Sequence, residues 1–484
     1  MTVSEAPRER VAEALAADPD LLAIDTIRTL AIDAVEKADS GHAGAPMGMA
    51  PVGYTLWKRF LRYDPADPAW PNRDRFVLSA GHASLLLYAL LHLAGVRALG
   101  PDGKPTDRSA VRLEDIEHFR QLGGICAGHP EYGLVTGIET TTGPLGQGAG
   151  NSVGMAIAGR WLAARYNCPD AVLFDYDVYA LCSDGDMMEG VASEAASLAG
   201  HLRLSNLCWI WDDNTVTIEG HTQLAFDEDV AERFRAYGWA THRVDDANDC
   251  EAVARAIEAF HNTHDQPSFI QVKSIIGYGS PHKQGTSKIH SDPLGAEEVK
   301  LTKEAYGWPP DAQFLVPDGV GERLGGAMHA RGGALTAKWR EARADYAIAH
   351  PELSAELDAI ETRTLPAGWD GGVPTFPADV KGMATRDASG KALNAIAERV
   401  PWLVGGSADL SPSTKTALVF DGAGELEPAS PGGRNMHFGV REHAMGAVAN
   451  GMALCGLRPY TGTFLIFSDY MRPPTRLAAL MKQP

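Results

Sequence analysis

Residues 180–190 read ALCSDGDMMEG and residues 209–216 read WIWDDNTV. Each stretch begins as a short apolar run of the kind that forms a buried strand. Polar side chains follow at once, Asp184 after the first run and Asn214 after the second. Neighbouring strands of a parallel sheet present their carboxyl ends at one edge, so we expect the two side chains to lie close together. Their oxygens suit Mg²⁺ or Ca²⁺, which would keep free positions for a diphosphate.

Each of these residues taken alone has a simpler interpretation. Asp184 can cap the first turn of a helix, and Asn214 can support a turn. The ligand interpretation is favoured because the two occur as a pair and because Gly185 follows the aspartate. The sequence therefore predicts one cation held by hard oxygen ligands.

Strands and helices alternate on both sides of this pair. Such alternation implies an α/β fold with parallel sheets flanked by helices. Predicted helices cover 21–39, 151–164, 187–199, 388–400 and 442–454, and predicted strands cover 178–182, 207–211, 240–244, 269–275, 402–406 and 460–467.

Changes in composition divide the chain. Residues 365–380 are rich in Pro and Gly, which is typical of a linker. We expect a lead-in at 1–20, a first α/β domain at 21–320, a helical segment and linker at 321–380, and a second α/β domain at 381–484 that ends before its sheet is complete.

Composition excludes several classes of protein. The 484 residues carry a formal charge of -19 and no cluster of basic residues, which argues against a nucleic-acid partner. The N-terminus MTVSEAPRER is polar and no stretch has membrane-spanning length, so we expect no membrane association and a cytoplasmic location. The six cysteines lack C-x-x-C spacing, and we expect Cys182 and Cys208 to be reduced core residues.

Four histidines lie in predicted loops among small residues: His42, His82, His129 and His290. A single loop histidine is more often a solvated surface group, but four in Gly-rich loops favour a site. Imidazole exchanges protons near neutral pH and donates hydrogen bonds to hydroxyl and phosphate oxygens. A zinc site is a weaker alternative, because no pair has i, i+4 spacing and no cysteine lies in register.

The sequence resembles the transketolase family from about residue 21 to residue 480. The resemblance lies in the four histidine loops and in the ordered motifs TTGPLGQG, SDGDMMEG with Asn214, IGYGSPH, GGSADLSPS, FGVREHAMG and TGTFLIFSDY. It implies transfer of a two-carbon ketol unit from xylulose 5-phosphate to ribose 5-phosphate or erythrose 4-phosphate, in the pentose phosphate pathway or Calvin cycle. It also implies a homodimer in which thiamine diphosphate and Mg²⁺, Ca²⁺ or Mn²⁺ lie between subunits.

The resemblance assigns cofactor contacts residue by residue. The first domain would bind the diphosphate and the second the aminopyrimidine. The implied metal ligands are Asp184, Asn214 and the carbonyl of Val216, and the other implied cofactor contacts are His82, Gly143, Leu145, Gly185, His290, Asp409, Glu442, Phe464, Phe467 and Tyr470.

Glu442 is implied to activate the cofactor by a hydrogen bond between its carboxyl group and the pyrimidine. Without the flanking motif, a Glu between Arg441 and His443 is an ordinary ion pair at a helix entry. Phe464, Phe467 and Tyr470, which are spaced three residues apart, are equally compatible with core packing. Glu189 and Glu194 resemble family residues that link the two active sites, and otherwise suit a surface helix.

The resemblance also implies the substrate contacts. His42, His129 and His290 would surround the sugar hydroxyls and take part in catalysis. Arg386 and Ser413 would bind the phosphate, since the planar guanidinium of Arg donates in pairs. Taken alone, Arg386 is more simply explained as an exposed charge.

The chain departs from the family pattern in three places. Ser183 and Ala43 stand where the family commonly has Gly and Pro, and members usually continue through a third domain. We therefore expect a truncated chain, for which activity alone is one hypothesis. The others are an inactive remnant that acts as an assembly module, one chain of a split enzyme, and a related synthase that uses formaldehyde as acceptor.

Overall fold

The structure, a computed structural model, describes residues 18–484. The predicted lead-in at 1–20 lies outside the described residues except for its last three positions. The strands are β1 Arg75–Leu78, β2 Arg97–Leu99, β3 Pro105–Ser109, β4 Val178–Ser183, β5 Leu207–Asp213, β6 Ala240–Val244, β7 Ser268–Lys273, β8 Leu403–Ser407, β9 Asn435–His437 and β10 Arg458–Gly462.

Helices precede, connect and follow these strands. The α-helices are α1 Pro19–Ala38, α2 Gly44–Thr55, α3 Ser84–Leu93, α4 Leu113–Glu117, α5 Gln147–Tyr166, α6 Asp184–Met188, α7 Gly190–His201, α8 Val230–Ala236, α9 Cys250–His261, α10 Ala296–Ala305, α11 Val320–Ala349, α12 Pro351–Glu361, α13 Thr385–Ala397, α14 Ser411–Thr414, α15 Glu442–Leu454 and α16 Arg472–Leu480. Shorter turns of helix are Leu56–Phe60 (π) and Gly81–Ala83, Thr222–Leu224, Ser287–Ile289 and Leu465–Met471 (3₁₀).

The first sheet has the strand order β1-β4-β5-β7-β6, and every pair of neighbours is parallel. All residues of β4 and β5 are buried. Helices cover both faces of such a sheet, which is why the strands VYALCS and LCWIWDD are almost continuously apolar. A second sheet, β10-β8-β9, is also parallel, and β2 and β3 form a separate antiparallel pair. The predicted α/β class with parallel sheets is confirmed.

Two hydrophobic cores lie on the two faces of the first sheet. Alternate residues of β4 enter different cores, Tyr179 and Leu181 one and Ala180 and Cys182 the other. This alternation follows from the two-residue period of a strand. The core that contains Cys182 continues into the second α/β unit, where it includes Val448 and reaches Met481. The two units therefore share a core, although residues 362–384 between α12 and α13 contain no helix or strand.

The two units meet most closely where α5 packs against α15. Glycines allow the backbones to approach, because a Cβ added at Gly154 would lie 2.0 Å from the carbonyl oxygen of Val448. One added at Gly451 would lie 1.9 Å from the carbonyl oxygen of Asn151. Asn151 also donates from Nδ2 to the carbonyl of Ala447 at 2.8 Å. The side-chain bond and the two glycines fix how the second unit lies on the first.

We expect Gly154→Ala to lower the free energy of unfolding by about 1–3 kcal/mol, because the added methyl group forces two backbones apart. Gly326→Ala on α11 is the matched control, since its Cβ would meet nothing within 4 Å. The control should be neutral or stabilising by about 0.4–1 kcal/mol. Urea unfolding measures both, and equal effects of the two variants would contradict the close approach.

Most predicted elements agree with the observed ones to within four residues at each end; for example, the helix predicted over 388–400 is Thr385–Ala397. Two predicted elements contain larger errors. The helix predicted over 187–199 is interrupted at Glu189, whose extended backbone (φ -70°, ψ 130°) ends α6 and begins α7. The strand predicted over 460–467 ends at Gly462, which pairs with Ser407, the last residue of β8. Beyond that point the strand has no partner to pair with, and the chain turns into the 3₁₀ helix Leu465–Met471.

Candidate active site

Asp184 and Asn214 lie at the same edge of the first sheet. Strands β4 and β5 run parallel and in register, with Ser183 opposite Asp212. Asp184 follows the end of β4, and Asn214 follows the end of β5. The order of the strands thus brings together two residues that are distant along the chain, as the sequence predicted.

One carboxylate oxygen of Asp184 is available for a ligand. Oδ1 accepts a hydrogen bond of 3.1 Å from Nε1 of Trp211. Oδ2 is buried and has no hydrogen-bond partner among the described residues. Burial, and next the nearby Asp212 and Asp213, raise the pKa of Asp184 to about 8. A cation would remove this repulsion, so the site fits a divalent metal.

The turn after β5 fixes the orientation of Asn214. Its Nδ2 donates to Asp212 Oδ2 at 2.9 Å, and its Oδ1 accepts from the amide of Val216 at 3.0 Å. Thr215 between them has a left-handed backbone (φ 62°). The amide of Val216 therefore fixes the side-chain oxygen of Asn214, and the carbonyl of the same Val216 is the third implied metal ligand.

Asp186 is a site residue that the sequence analysis missed. Its carboxylate accepts from the amide of Gly146 at 2.7 Å and from the hydroxyl of Ser79 at 2.6 Å. It also accepts from the amide of Ser183 at 2.7 Å and caps the start of α6 together with that serine. The S-x-x-D spacing of Ser183 and Asp186 is the pattern of a capping box and could have indicated this role. Ser183, which departs from the family pattern, thus serves as a helix cap.

The glycine-rich loop before α5 lies against the turn after β4. A Cβ at Gly185 would lie 2.6 Å from Cδ1 of Leu145, and one at Gly81 would lie 2.6 Å from the amide nitrogen of Gly143. Gly143 itself has φ +136°, and a Cβ there would lie 3.3 Å from the ring of His129. The predicted residues Gly143, Leu145, Gly185 and His129 therefore lie together. Only glycine fits where these segments approach each other most closely.

The four predicted histidines form one group. Ring centroids of His42 lie 5.2 Å from those of His82, 5.6 Å from His290 and 6.3 Å from His129. His82 and His290 stack at 5.3 Å. These residues come from four separate loops, so only the tertiary structure brings them together.

Burial lowers the pKa of all four imidazoles. For His42 the pKa falls to about 3, because burial is reinforced by the neighbouring His290, Arg120 and His129. The imidazoles are therefore neutral at neutral pH. Each can donate from one ring nitrogen and accept at the other.

Stability should fall as the pH is lowered from about 6.5 toward the folded pKa of His42, because there only the unfolded chain takes up the proton. The unfolded state binds more protons in this window, so the free energy of unfolding rises with pH. Replacing His42 with Gln should reduce that slope by up to about 1.4 kcal/mol per pH unit.

Urea unfolding at several pH values measures this slope, and an exposed-histidine variant, His264→Gln, controls for the loss of one histidine. An unchanged slope in the His42 variant would contradict the assignment of a neutral buried imidazole.

Several buried polar atoms of this region have no partner among the described residues: His42 Nδ1, His290 Nδ1, Thr142 Oγ1 and Gln147 Oε1. Buried polar groups are normally hydrogen-bonded. Together with the free oxygen of Asp184, these atoms suit a polar ligand that carries a metal ion. A metal diphosphate and a hydroxylated substrate have that chemistry.

A second group lies around Glu442, the first residue of α15. Its carboxylate is buried and accepts a hydrogen bond of 3.4 Å from the hydroxyl of Thr463. Glu194 Oε2 accepts from the amide of Ala444 at 2.9 Å and so caps the same helix from the first unit. Glu189 is exposed at the break between α6 and α7. Glu194 is therefore linked to the segment that holds Glu442.

Three predicted aromatics stand beside this group. Phe464 and Phe467 lie 6.2 Å apart, and Phe467 and Tyr470 lie 6.4 Å apart. Their exposed fractions are 40%, 37% and 62%, so they do not belong to the core of this chain. Core packing, the simpler interpretation, is wrong for all three. They form an exposed aromatic surface that starts next to Thr463.

The remaining predicted residues lie on the second unit. Asp409 follows β8 with a left-handed backbone (φ 60°) and is exposed. Arg386 is exposed in the first turn of α13, and Ser413 is partly buried on α14, which packs against α13. The structure thus places Arg386 and Ser413 on adjacent helices.

Within residues 18–484, no helix is both long and apolar enough to cross a membrane. The six cysteines are free, and Cys182 and Cys208 are buried in the cores as predicted.

Comparison with known proteins shows where similar chains occur. The profile of the transketolase thiamine diphosphate binding domain matches residues 20–366, and that of the transketolase pyrimidine binding domain matches 381–484. A transketolase of Geobacillus stearothermophilus is 52% identical over 464 residues, which are 96% of this chain and 67% of that protein. One of Bacillus subtilis is 47% identical over 462 residues, 95% and 67% of the two chains.

Solved structures of transketolases are also similar to this chain. A transketolase of Pichia stipitis in complex with sedoheptulose-7-phosphate has a TM-score of 0.90 and 44% identity, over 96% of this chain and 67% of that one. A transketolase of Leishmania mexicana gives 0.90 and 39% with the same coverage. The chain spans about two thirds of the length of the relatives it matches.

Proposed function

Because the chain belongs to the transketolase family, we propose that it transfers a two-carbon ketol unit from a ketose phosphate to an aldose phosphate. The observation that carries the proposal is the free buried oxygen of Asp184, at the sheet edge where Asn214 also lies. Four neutral histidines form a group in the same unit. Xylulose 5-phosphate is the proposed donor, and ribose 5-phosphate or erythrose 4-phosphate the acceptor.

Asp184, Asn214 and the carbonyl of Val216 would hold a divalent metal, Mg²⁺ by preference. His82, His290, Gly185 and the loop of Gly143 and Leu145 would hold the diphosphate. When bound, thiamine diphosphate supplies the electron sink that two-carbon transfer requires.

The neutral imidazoles of His42, His129 and His290 would orient the sugar hydroxyls and move protons at them. Glu442 would hold a proton at the aminopyrimidine, with Asp409 beside the ring and Phe464, Phe467 and Tyr470 packed on it. Arg386 and Ser413 would bind the substrate phosphate through charge-assisted hydrogen bonds, for which an exposed Arg on a rigid helix is suited. These roles rest on the resemblance and on the placements described above.

A homodimer would unite the two halves of the site. The exposed aromatic surface supports this proposal, because contiguous exposed apolar groups usually mark an interface or a binding site. The second copy would contribute Glu442 and the aromatics to the histidine group of the first. A second, different chain is the alternative source of further contacts. Sedimentation analysis with and without cofactor distinguishes monomer, dimer and mixed assembly.

The test is a calorimetric titration of thiamine diphosphate with Mg²⁺, followed by an assay with xylulose 5-phosphate and ribose 5-phosphate. Binding with turnover supports the proposal. Turnover with formaldehyde but not with ribose 5-phosphate would favour the synthase instead. Binding without turnover would favour dependence on another chain, and failure to bind would contradict a cofactor site.

A further inference from the structure

Cys168, Asp170 and His350 come together beyond the C-terminal end of α5. Their ligand atoms, one from each side chain, lie within 4.8 Å of one another. Cys168 and Asp170 follow α5, whereas the loop of Gly143 and Leu145, which contacts Gly185, precedes it, and a helix of 20 residues is about 30 Å long. This group is separate from the proposed active site.

The first two residues lie on a tight turn between α5 and β4. The amide of Cys168 donates to the carbonyl of Ala171 at 2.9 Å, and the amide of Ala171 donates back at 3.0 Å. Pro169 restricts the backbone between them. The thiol of Cys168 has only a weak acceptor, the carbonyl of Tyr166 at 3.7 Å. The turn therefore holds the Cys168 thiol and the Asp170 carboxylate in a fixed relation.

His350 lies at the corner between α11 and α12. Its amide donates to the carbonyl of Tyr346 at 2.8 Å, and its carbonyl accepts from the amide of Ser354 at 2.9 Å, so its backbone is fixed. Its Nε2 is buried and has no hydrogen-bond partner among residues 18–484. The closest carboxylate oxygen, Asp170 Oδ1, lies at 3.7 Å, beyond hydrogen-bonding distance.

Tyr346 adds a second unsatisfied group at the same place. Its ring lies 4.7 Å from that of His350, and its buried hydroxyl has no oxygen or nitrogen partner in the described part of the chain and only the Cys168 thiol beside it. Burial and then the neighbouring Cys168 thiol raise the pKa of Tyr346 to about 12. Two buried polar atoms without partners beside a thiol and a carboxylate require an explanation.

We propose that Cys168, Asp170 and His350 bind a divalent transition metal ion, for which Zn²⁺ is the best match. A thiolate and an imidazole select zinc over Mg²⁺ or Ca²⁺, which prefer oxygen ligands. On binding, the thiol releases its proton to solvent and its sulfur forms the bond to the metal. Water, or the hydroxyl of Tyr346, completes four-fold coordination.

The distances allow this with a small movement. Zinc bonds of about 2.0–2.3 Å place tetrahedral ligand atoms about 3.3–3.8 Å apart. Because the ligand atoms lie within 4.8 Å of one another, they must close by at most about 1.5 Å. Asp170 can make that movement, because its side chain is 65% exposed.

The metal would fasten the α11–α12 corner to the turn before β4. Residues 362–384, which lead to the second unit, begin directly after α12. The ion would thus stabilise the helical corner that leads into the segment connecting the two units. It would take no part in catalysis. An ion that binds the folded chain but not the unfolded chain raises the unfolding temperature.

Co²⁺ titration of the protein saturated with thiamine diphosphate and Mg²⁺ tests the proposal. A thiolate ligand gives Co²⁺ a near-ultraviolet charge-transfer band, which the oxygen ligands at Asp184 and Asn214 cannot give. We expect the band to saturate at one ion per chain and to disappear when Zn²⁺ is added. Zn²⁺ should also raise the unfolding temperature.

Variants locate the site. Cys168→Ser should abolish the band, and His350→Gln should weaken Co²⁺ binding by roughly 100-fold, at least as much as loss of an outer-shell partner. Asp170→Asn, a change at an exposed side chain that leaves folding intact, should weaken binding while keeping the band. Cys250→Ser, at a partly buried thiol on α9, is the control and should leave the titration unchanged.

Absence of the band in the parent protein, or its persistence in Cys168→Ser, would overturn the proposal. So would equal Co²⁺ affinity in Asp170→Asn and the parent. Circular dichroism of each variant establishes that a lost band is not caused by unfolding.

Discussion

Replacing Glu442 with Gln should lower two-carbon transfer by roughly 10²–10⁴-fold, the usual range for loss of a group that moves protons. Binding of thiamine diphosphate with Mg²⁺ should change little, because Gln has the same shape and keeps an oxygen that accepts from Thr463. Under the proposed role, the variant would lose the ability to hold a proton at the aminopyrimidine. Turnover and calorimetric binding, measured on the same preparation, separate the two effects.

Exchange of the cofactor C2 proton, followed by NMR, gives a readout that needs no sugar. It should slow in the Glu442 variant by a factor similar to that for turnover. Glu425→Gln is the matched control, because Glu425 lies in the same unit but is exposed and pairs with His437 at 2.7 Å. Full activity in the Glu442 variant would exclude the assigned role.

Replacing Asp184 with Asn should weaken binding of thiamine diphosphate in the presence of Mg²⁺ by on the order of 100-fold or more, since a charged metal ligand is lost. The cofactor-free protein should instead become more stable, by about 0.5–2 kcal/mol. Asp184 is buried, and burial together with Asp212 and Asp213 disfavours its ionised form. A bound cation would favour the ionised form of Asp184 and so offset this effect.

Calorimetry measures the first effect and urea unfolding without cofactor the second. Asp245→Asn provides the control, because Asp245 is 81% exposed and pairs with Arg243. A variant that binds cofactor normally would show that Asp184 is not a ligand; the helix itself is capped by Ser183 and Asp186. A destabilised cofactor-free variant would contradict the repulsion between the three carboxylates.

Much of the fold and part of the site could be predicted from local sequence. Apolar runs bounded by polar turns located β4 and β5 within two residues, because fully buried strands have little freedom of composition. Glu442 was placed correctly at the start of a helix. The larger errors, at Glu189 and after Gly462, occur where contacts distant in sequence decide the backbone: Gly146 packs against Glu189, and β8 ends opposite Gly462.

The sequence by itself determined the α/β class and the family, and it placed Asp184 and Asn214 at the same edge of a parallel sheet, because parallel strands align their carboxyl ends. That β4 and β5 are neighbours was decided by the tertiary structure. Only the tertiary structure decided that four loop histidines form one neutral group and that Asp186 joins three segments. It alone placed Cys168 beside His350. The physical reason is that periodicity reports which face of an element is buried, whereas such sites depend on long-range packing that joins loops with no periodicity.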